Sequence, residues 1–160
     1  MTYIHPTAVI GPNVTIEDDV YIGPLCIIGF PAEWKGNEHI DKGVVIKKGT
    51  RITGLVTIDA GVESHTDIGE NCYLMKGVHV GHDATIGDNV TISCGAKIGG
   101  HVLIGDYCNI GLNAVIHQKQ IIRHSCMIGA SAFVSKTLKT EPCRKYAGVP
   151  ARDIGENIKK

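Results

Sequence analysis

The sequence predicts an all-β solenoid, a prism of short stacked strands, and three observations carry that prediction. An aliphatic residue recurs every six positions for twelve steps, from Ile68, Leu74, Val80, Ile86, Ile92 and Ile98 through Ile104, Ile110, Ile116, Ile122 and Ile128 to Val134. Four residues after each of these comes a second column, mostly small: Cys72, Val78, Ala84, Val90 and Ala96 open it, and Cys108, Ala114, Cys126 and Ala132 continue it. The composition agrees, since 43% of the 160 residues are hydrophobic but only 5% aromatic, and 20 are glycine. A core with so few rings is narrow. A short internal period also takes precedence over helix or strand readings made window by window.

In chain order, the repeat opens in phase at Ile4, Ile10, Ile16, Ile22 and Ile28. Residues 30–45 break it with a longer loop that contains the only tryptophan, Trp34. Phase returns at Ile46, Ile52 and Ile58, and Ser64 to Asp67 adds four residues before the long run. Glycine follows the aliphatic residue in seven of the twelve hexads of that run, as expected where a chain turns with φ > 0 or passes close to another backbone. Each hexad therefore reads as a short strand ending in a corner. After Lys139 the pattern stops, and residues 140–160, with two prolines and a basic excess, read as a tail that caps the last coil's pairing edges. The expected organisation is one repeat domain over 1–139 and a capping tail over 140–160.

Charge and cysteine usage narrow the functional classes. Sixteen basic and sixteen acidic side chains cancel, which leaves no electrostatic footprint for nucleic acid or an anionic membrane. No apolar run is long enough for a membrane span, and the N-terminus lacks a secretory signal, so a cytoplasmic setting is expected. Six cysteines without a C-x-x-C pair argue against a zinc or disulfide framework. Cys26, Cys72, Cys108 and Cys126 fall in the small inward column, where a reduced thiol acts as a small hydrophobe. Cys94 and Cys143 fall outside it.

The hexads resemble those of left-handed parallel β-helices, in which three hexads make one triangular coil of eighteen residues. The resemblance supplies the left hand, because ordinary parallel crossovers are right-handed. Twenty hexads then give six to seven coils stacked at ~4.8 Å. In that frame the hexads at Val80, Ile98 and Ile116 stack on one face, and the long loop leaves from the same edge after Ile28. Their corners carry His82 with Asp83, then Gly99, Gly100 and His101, then His117 with Gln118, and His79 precedes them. Histidine titrates near neutrality and can serve as a general base; a neighbouring carboxylate fixes its tautomer. Three of these histidines could instead hold a catalytic zinc, as in a carbonic anhydrase of this fold. Such an enzyme is expected to carry a second histidine five residues after one ligand, yet position 122, five after His117, is Ile122. A non-catalytic β-helix scaffold is the third possibility.

The stretch from Leu74 to Gln118, with Val-His-Val-Gly-His-Asp, Gly-Gly-His-Val and Val-Ile-His-Gln, resembles the central part of bacterial UDP-N-acetylglucosamine acyltransferases, enzymes of lipid A biosynthesis. The resemblance implies that His82 is the catalytic base, Asp83 its partner and Gly100 the backbone oxyanion donor. It further implies that His79, His101, His117 and Gln118 help to bind substrate, and it reaches more weakly to Glu33, Trp34 and Lys35, of which Trp34 joins the substrate-binding set. No metal and no bound cofactor are implied. The resemblance implies an acyl-CoA or acyl carrier protein thioester as co-substrate, a sugar or nucleotide sugar as acceptor, and a homotrimer with sites between prisms. The resemblance does not extend to the family's helical C-terminal region. Instead, the segment from Tyr146 to Ile154 resembles the closing segment of small sugar acetyltransferases, which makes Lys119, Arg144, Lys145 and Arg152 candidates for phosphate contacts.

Overall fold

The computed structural model describes residues 1–36 and 39–158. Each hexad forms a strand of two to four residues, and strands eighteen residues apart pair in parallel, so that Val80 lies beside Ile98 and Ile98 beside Ile116. Three sheets result. The first face runs from Tyr3–Ile4 to Arg144–Ala147 and adds Arg152–Glu156 at its edge; the second runs from Val9–Ile10 to Phe133–Val134; the third runs from Val14–Ile16 to Ile121–Ile122. The chain is an all-β, left-handed parallel β-helix, with no helix among the described residues. None of its elements is therefore a helix long and apolar enough to cross a membrane.

The two columns of the repeat are the core. Leu74, Ile92, Ile98 and Ile110 are fully buried, as are Cys26, Ala84, Ala96 and Ala114 between them. Cys72 and Cys108 are buried as well, and all six cysteines are free thiols, with Cys143 exposed. Gln120, the odd member of the small column, is buried too, and its amide donates to the Lys136 carbonyl at 3.0 Å. Such a core is stabilised coil by coil, each rung burying one aliphatic and one small side chain against its neighbours.

Of the two reasons a glycine could follow the aliphatic residue, close approach is the one that operates. A Cβ on Gly99 would lie 2.6 Å from the Gln118 nitrogen, and one on Gly81 would lie 2.8 Å from that of Gly100. Positive φ falls two residues further on, at the corners, where Asp83 (58°), His101 (57°) and Lys119 (62°) stand above one another. Each such left-handed residue costs roughly 1–2 kcal/mol. Bonds between coils hold them there: the His101 N–H donates to the His82 carbonyl at 2.9 Å, and the Lys119 N–H to that of Gly100 at 2.8 Å.

The first face carries eight parallel rungs, one more than hexad counting gives, because Arg144–Ala147 pairs in parallel with Met127–Ile128. The chain then reverses, and Arg152–Glu156 runs antiparallel to that strand. Tyr146 comes beside Ile128 and is 2% exposed, so a single ring plugs this end of the core, its hydroxyl accepting from the Glu141 N–H at 2.8 Å.

Candidate active site

All the irregularities of the repeat lie on one edge of the prism, between the second and third faces. The long loop leaves there after Ile27–Phe30 and returns at Val44–Ile46. The four extra residues lie there too, between Thr57–Asp59 and Thr66–Ile68. His82 and Asp83 occupy the same corner one coil on, then His101, then Gln118 and Lys119. Glu33, Trp34 and Lys35 of the loop fold back onto His82, His101, Gln118 and Lys119 and enclose a cleft of about 290 Å³.

The insertion, expected at Ser64 to Asp67, instead lies ahead of the strand Thr66–Ile68, and Val62 to Ser64 form a turn whose backbone N–H groups point at the Asp83 carboxylate. Ser64 and Glu63 donate to Oδ1 at 2.8 and 2.9 Å, and Val62 donates to Oδ2 at 3.1 Å. Successive N–H groups of this kind make an anion-binding concavity. The Asp83 side chain is only 2% exposed. Burial pushes its carboxyl up, but the Ser64 bond, the His82 bond and the donors of Val62 and Glu63 outweigh that and hold it at about 2. Asp83 is thus ionised at neutral pH.

Its shortest contact is His82, whose Nδ1 lies 2.7 Å from Oδ2, with His101 Nε2 3.8 Å from the same oxygen. An ionised carboxylate only accepts, so Nδ1 carries the proton and Nε2 presents a lone pair. That nitrogen lies against Gly100, where a Cβ would be 2.8 Å from it. The Gly100 N–H makes no hydrogen bond among the described residues. Trp34 stacks on the His82 ring at 5.9 Å and 21°, and His101 meets the same ring edge-on at 5.0 Å and 84°. A histidine, its carboxylate, a glycine with an unbonded N–H and two flanking rings therefore meet in one place.

The expected alignment of four histidines along one edge is corrected to two. His79 projects from the second face, with Nδ1 2.8 Å from Thr57 Oγ1 and Nε2 3.8 Å from Asp59 Oδ2. It lines a second cleft of about 590 Å³, which shares Glu33 with the His82 cleft. There burial pushes the Asp59 carboxyl up, against the pull of His79. His117 turns away, its Nδ1 2.9 Å from the Gln118 carbonyl oxygen, while Gln118 itself lines the His82 cleft. Arg144, a candidate phosphate contact, is held by Asp153 in a bidentate pair with both distances 2.8 Å.

The groups that could share a metal ion are also not the three histidines weighed from sequence. His82, Asp83 and His101 each place a ligand atom within 4.8 Å of the others. Asp83 has already committed both oxygens to backbone donors and to His82, so its geometry serves to orient the imidazole. The Val62–Ser64 turn is the component that sequence reading missed; its only signal was the break in phase.

A family model described as bacterial transferase hexapeptide (six repeats) matches residues 1–33, 65–100 and 84–118. The acyl-[acyl-carrier-protein]–UDP-N-acetylglucosamine O-acyltransferase of Saccharophagus degradans is 32% identical over 123 residues, covering 52% of this chain and 48% of its own length. The enzyme of the same name from Thermodesulfovibrio yellowstonii is 37% identical over 81 residues, covering 51% of this chain and 25% of its own. The chain thus spans half or less of the curated relatives it matches. Among solved structures, UDP-N-acetylglucosamine acyltransferase from Campylobacter jejuni superposes with a TM-score of 0.82 at 24% identity, over 97% of this chain and 75% of that one. Hexads, coil geometry and family match agree, and the chain belongs to the bacterial hexapeptide-repeat transferase family.

Proposed function

We propose that this protein transfers an acyl group from a thioester, carried by coenzyme A or a carrier protein, to a hydroxyl or amine of a sugar or nucleotide sugar. The observation that carries the reading is the His82–Asp83 pair, with the ring's other nitrogen against Gly100. His82 Nε2 takes the acceptor's proton as the acceptor oxygen or nitrogen attacks the thioester carbonyl carbon. The Gly100 N–H donates to the oxyanion that forms. The intermediate then collapses, the carbon–sulfur bond breaks, and the imidazolium returns its proton to the departing thiolate. Base catalysis of this kind is worth ~10² to 10⁴ in rate, and an oxyanion donor ~10² to 10³.

Trp34, His101 and Gln118 position the substrates in this reading, since each lines the cleft. His79 and His117 act from outside it, in a homotrimer whose neighbouring prism brings them near a second cleft. Exposed Leu25, Leu55 and Leu112 favour such packing, because a thin prism buries little surface alone. A cytoplasmic setting fits a donor of this kind.

Mass spectrometry of products tests the reading, with acetyl-CoA and longer acyl-carrier donors offered against a panel of nucleotide sugars. The expected result is one acceptor gaining one acyl mass with release of one thiol. Absence of an acylated product across the whole panel would sink the proposal.

A further inference from the structure

The His101 imidazole faces the Asp83 carboxylate as well as the cleft. Its side chain is 23% exposed, and its Nε2 stands 3.8 Å from Asp83 Oδ2. Among the described residues the ring makes no hydrogen bond of its own. Its place is nevertheless fixed, since the His101 N–H donates to the His82 carbonyl at 2.9 Å and holds the left-handed corner. The same Oδ2 accepts from His82 Nδ1 at 2.7 Å, and the two rings meet edge-on at 5.0 Å. Two imidazoles and one carboxylate thus put one ligand atom each within 4.8 Å of the others.

This donor set has a chemical preference. Imidazole nitrogens beside a carboxylate suit zinc and its late first-row neighbours, whereas magnesium and calcium take oxygen ligands. Ligand atoms ~2.0–2.2 Å from a tetrahedral zinc ion stand roughly 3.3 Å apart. The contacts of 2.7 and 3.8 Å lie either side of that separation, so small rotations of the two rings bring both to it. The groups that would support a ligand are also in place. Ser64 and Glu63 donate to Asp83 Oδ1 at 2.8 and 2.9 Å and turn Oδ2 toward the rings. Oδ2 otherwise accepts from the Val62 N–H at 3.1 Å, so an ion takes the lone pair that the His82 Nδ1 proton now holds. The cleft of about 290 Å³ in front of the two rings has room for a water or substrate oxygen in the fourth position.

We propose that His82, Asp83 and His101 bind one imidazole-seeking divalent cation, zinc first among them, and that the bound ion switches this edge off. The ion bonds His82 Nδ1, Asp83 Oδ2 and His101 Nε2. The Nδ1 proton leaves to solvent and Nε2 takes one up, so the ring stays neutral. Nε2 then carries hydrogen and has no lone pair for an acceptor's proton. The metal-free pair orients the imidazole; the metal-bound one holds the wrong tautomer. The site stands on geometry alone, while the loss of activity rests on the acyl-transfer reading.

Isothermal titration of the full chain with zinc chloride, wild type beside His101→Asn, tests the site. Asparagine tolerates a left-handed corner, and a melting temperature matching wild type confirms folding. Wild type is expected to bind one zinc ion per chain and the variant at least about 100-fold more weakly, since even an outer-shell partner is worth ~10- to 100-fold. Cobalt(II) spectra of wild type separate this site from the free thiols, because only thiolate ligands add a strong sulfur-to-cobalt band in the near ultraviolet. Acyl product, read by mass spectrometry, should fall at least about 10-fold at saturating zinc, recover with EDTA and be unmoved by magnesium. No zinc binding by wild type, equal affinity in the variant, cobalt held by thiolates, or turnover unaffected at saturating zinc would each overturn the proposal. If zinc binds as expected while no donor and acceptor pair yields product, the metal site stands and the acyl-transfer reading fails. Turnover without zinc binding reverses that outcome.

Discussion

Replacing Asp83 by asparagine separates the two jobs that its carboxylate performs. Asparagine keeps the shape but offers one oxygen and one NH₂ in place of two acceptors. If the oxygen stays with the N–H groups of Val62, Glu63 and Ser64, the NH₂ faces His82 Nδ1 and donates to it. The imidazole proton is then driven to Nε2, the nitrogen that should accept a proton. The expected loss is about 10³- to 10⁴-fold in kcat, the scale seen when a triad carboxylate becomes an amide and the wrong tautomer results. Stability changes too. The carboxyl is held at about 2 against an ordinary value of 3.8. Its contribution, about 2 kcal/mol, is therefore fully present above pH ~4 and is lost as pH falls through ~2. Thiol-release kinetics at pH 7 and denaturant unfolding between pH 7 and 2 measure the two effects. The stability gap between wild type and Asp83→Asn should narrow by about 2 kcal/mol across that range. Turnover within tenfold of wild type, or a gap that does not change with pH, would refute the reasoning.

Gly100→Ala places a methyl 2.8 Å from His82 Nε2 and displaces the ring. Thiol release should fall about 10²-fold or more, with the melting temperature nearly unchanged; normal turnover would show that this approach is unimportant. Ile98→Ala opens a cavity at a fully buried position and should cost about 2–5 kcal/mol in denaturant unfolding. Hydrogen exchange should place the loss in the adjoining coils, because solenoid rungs depend on nearest neighbours.

How much of this was legible in the sequence depends on whether a feature follows the period. The twelve-step aliphatic column and the small column became the core, except that Leu138 is only partly buried and Gln120 is polar, and the glycines after the aliphatic residues settled into close approach between coils. His82, Asp83, His101 and Gln118 could be placed because they sit at stacked corners, Asp83 one eighteen-residue coil before His101 and His82 two coils before Gln118. His79 could not be placed this way, since it is the residue before Val80 on the strand itself and projects from the face. His117 follows Ile116 directly, ahead of the corner, and its ring folds back onto the next carbonyl. The Val62–Ser64 turn interrupts the period, so its approach to Asp83 is a contact between coils that no spacing encodes. Arg144 looked free in sequence because its partner, Asp153, reaches it only once the tail reverses antiparallel.

In the proposed reaction, His82 is the base that makes this edge of the prism an acyl-transfer site. Its most direct test is kcat/KM for wild type and His82→Ala, measured side by side on the donor and acceptor found by product analysis, with circular dichroism and assembly mass as controls. A loss of at least about 10²-fold is expected, with fold and assembly intact. Turnover within threefold of wild type in an intact His82→Ala protein would contradict it.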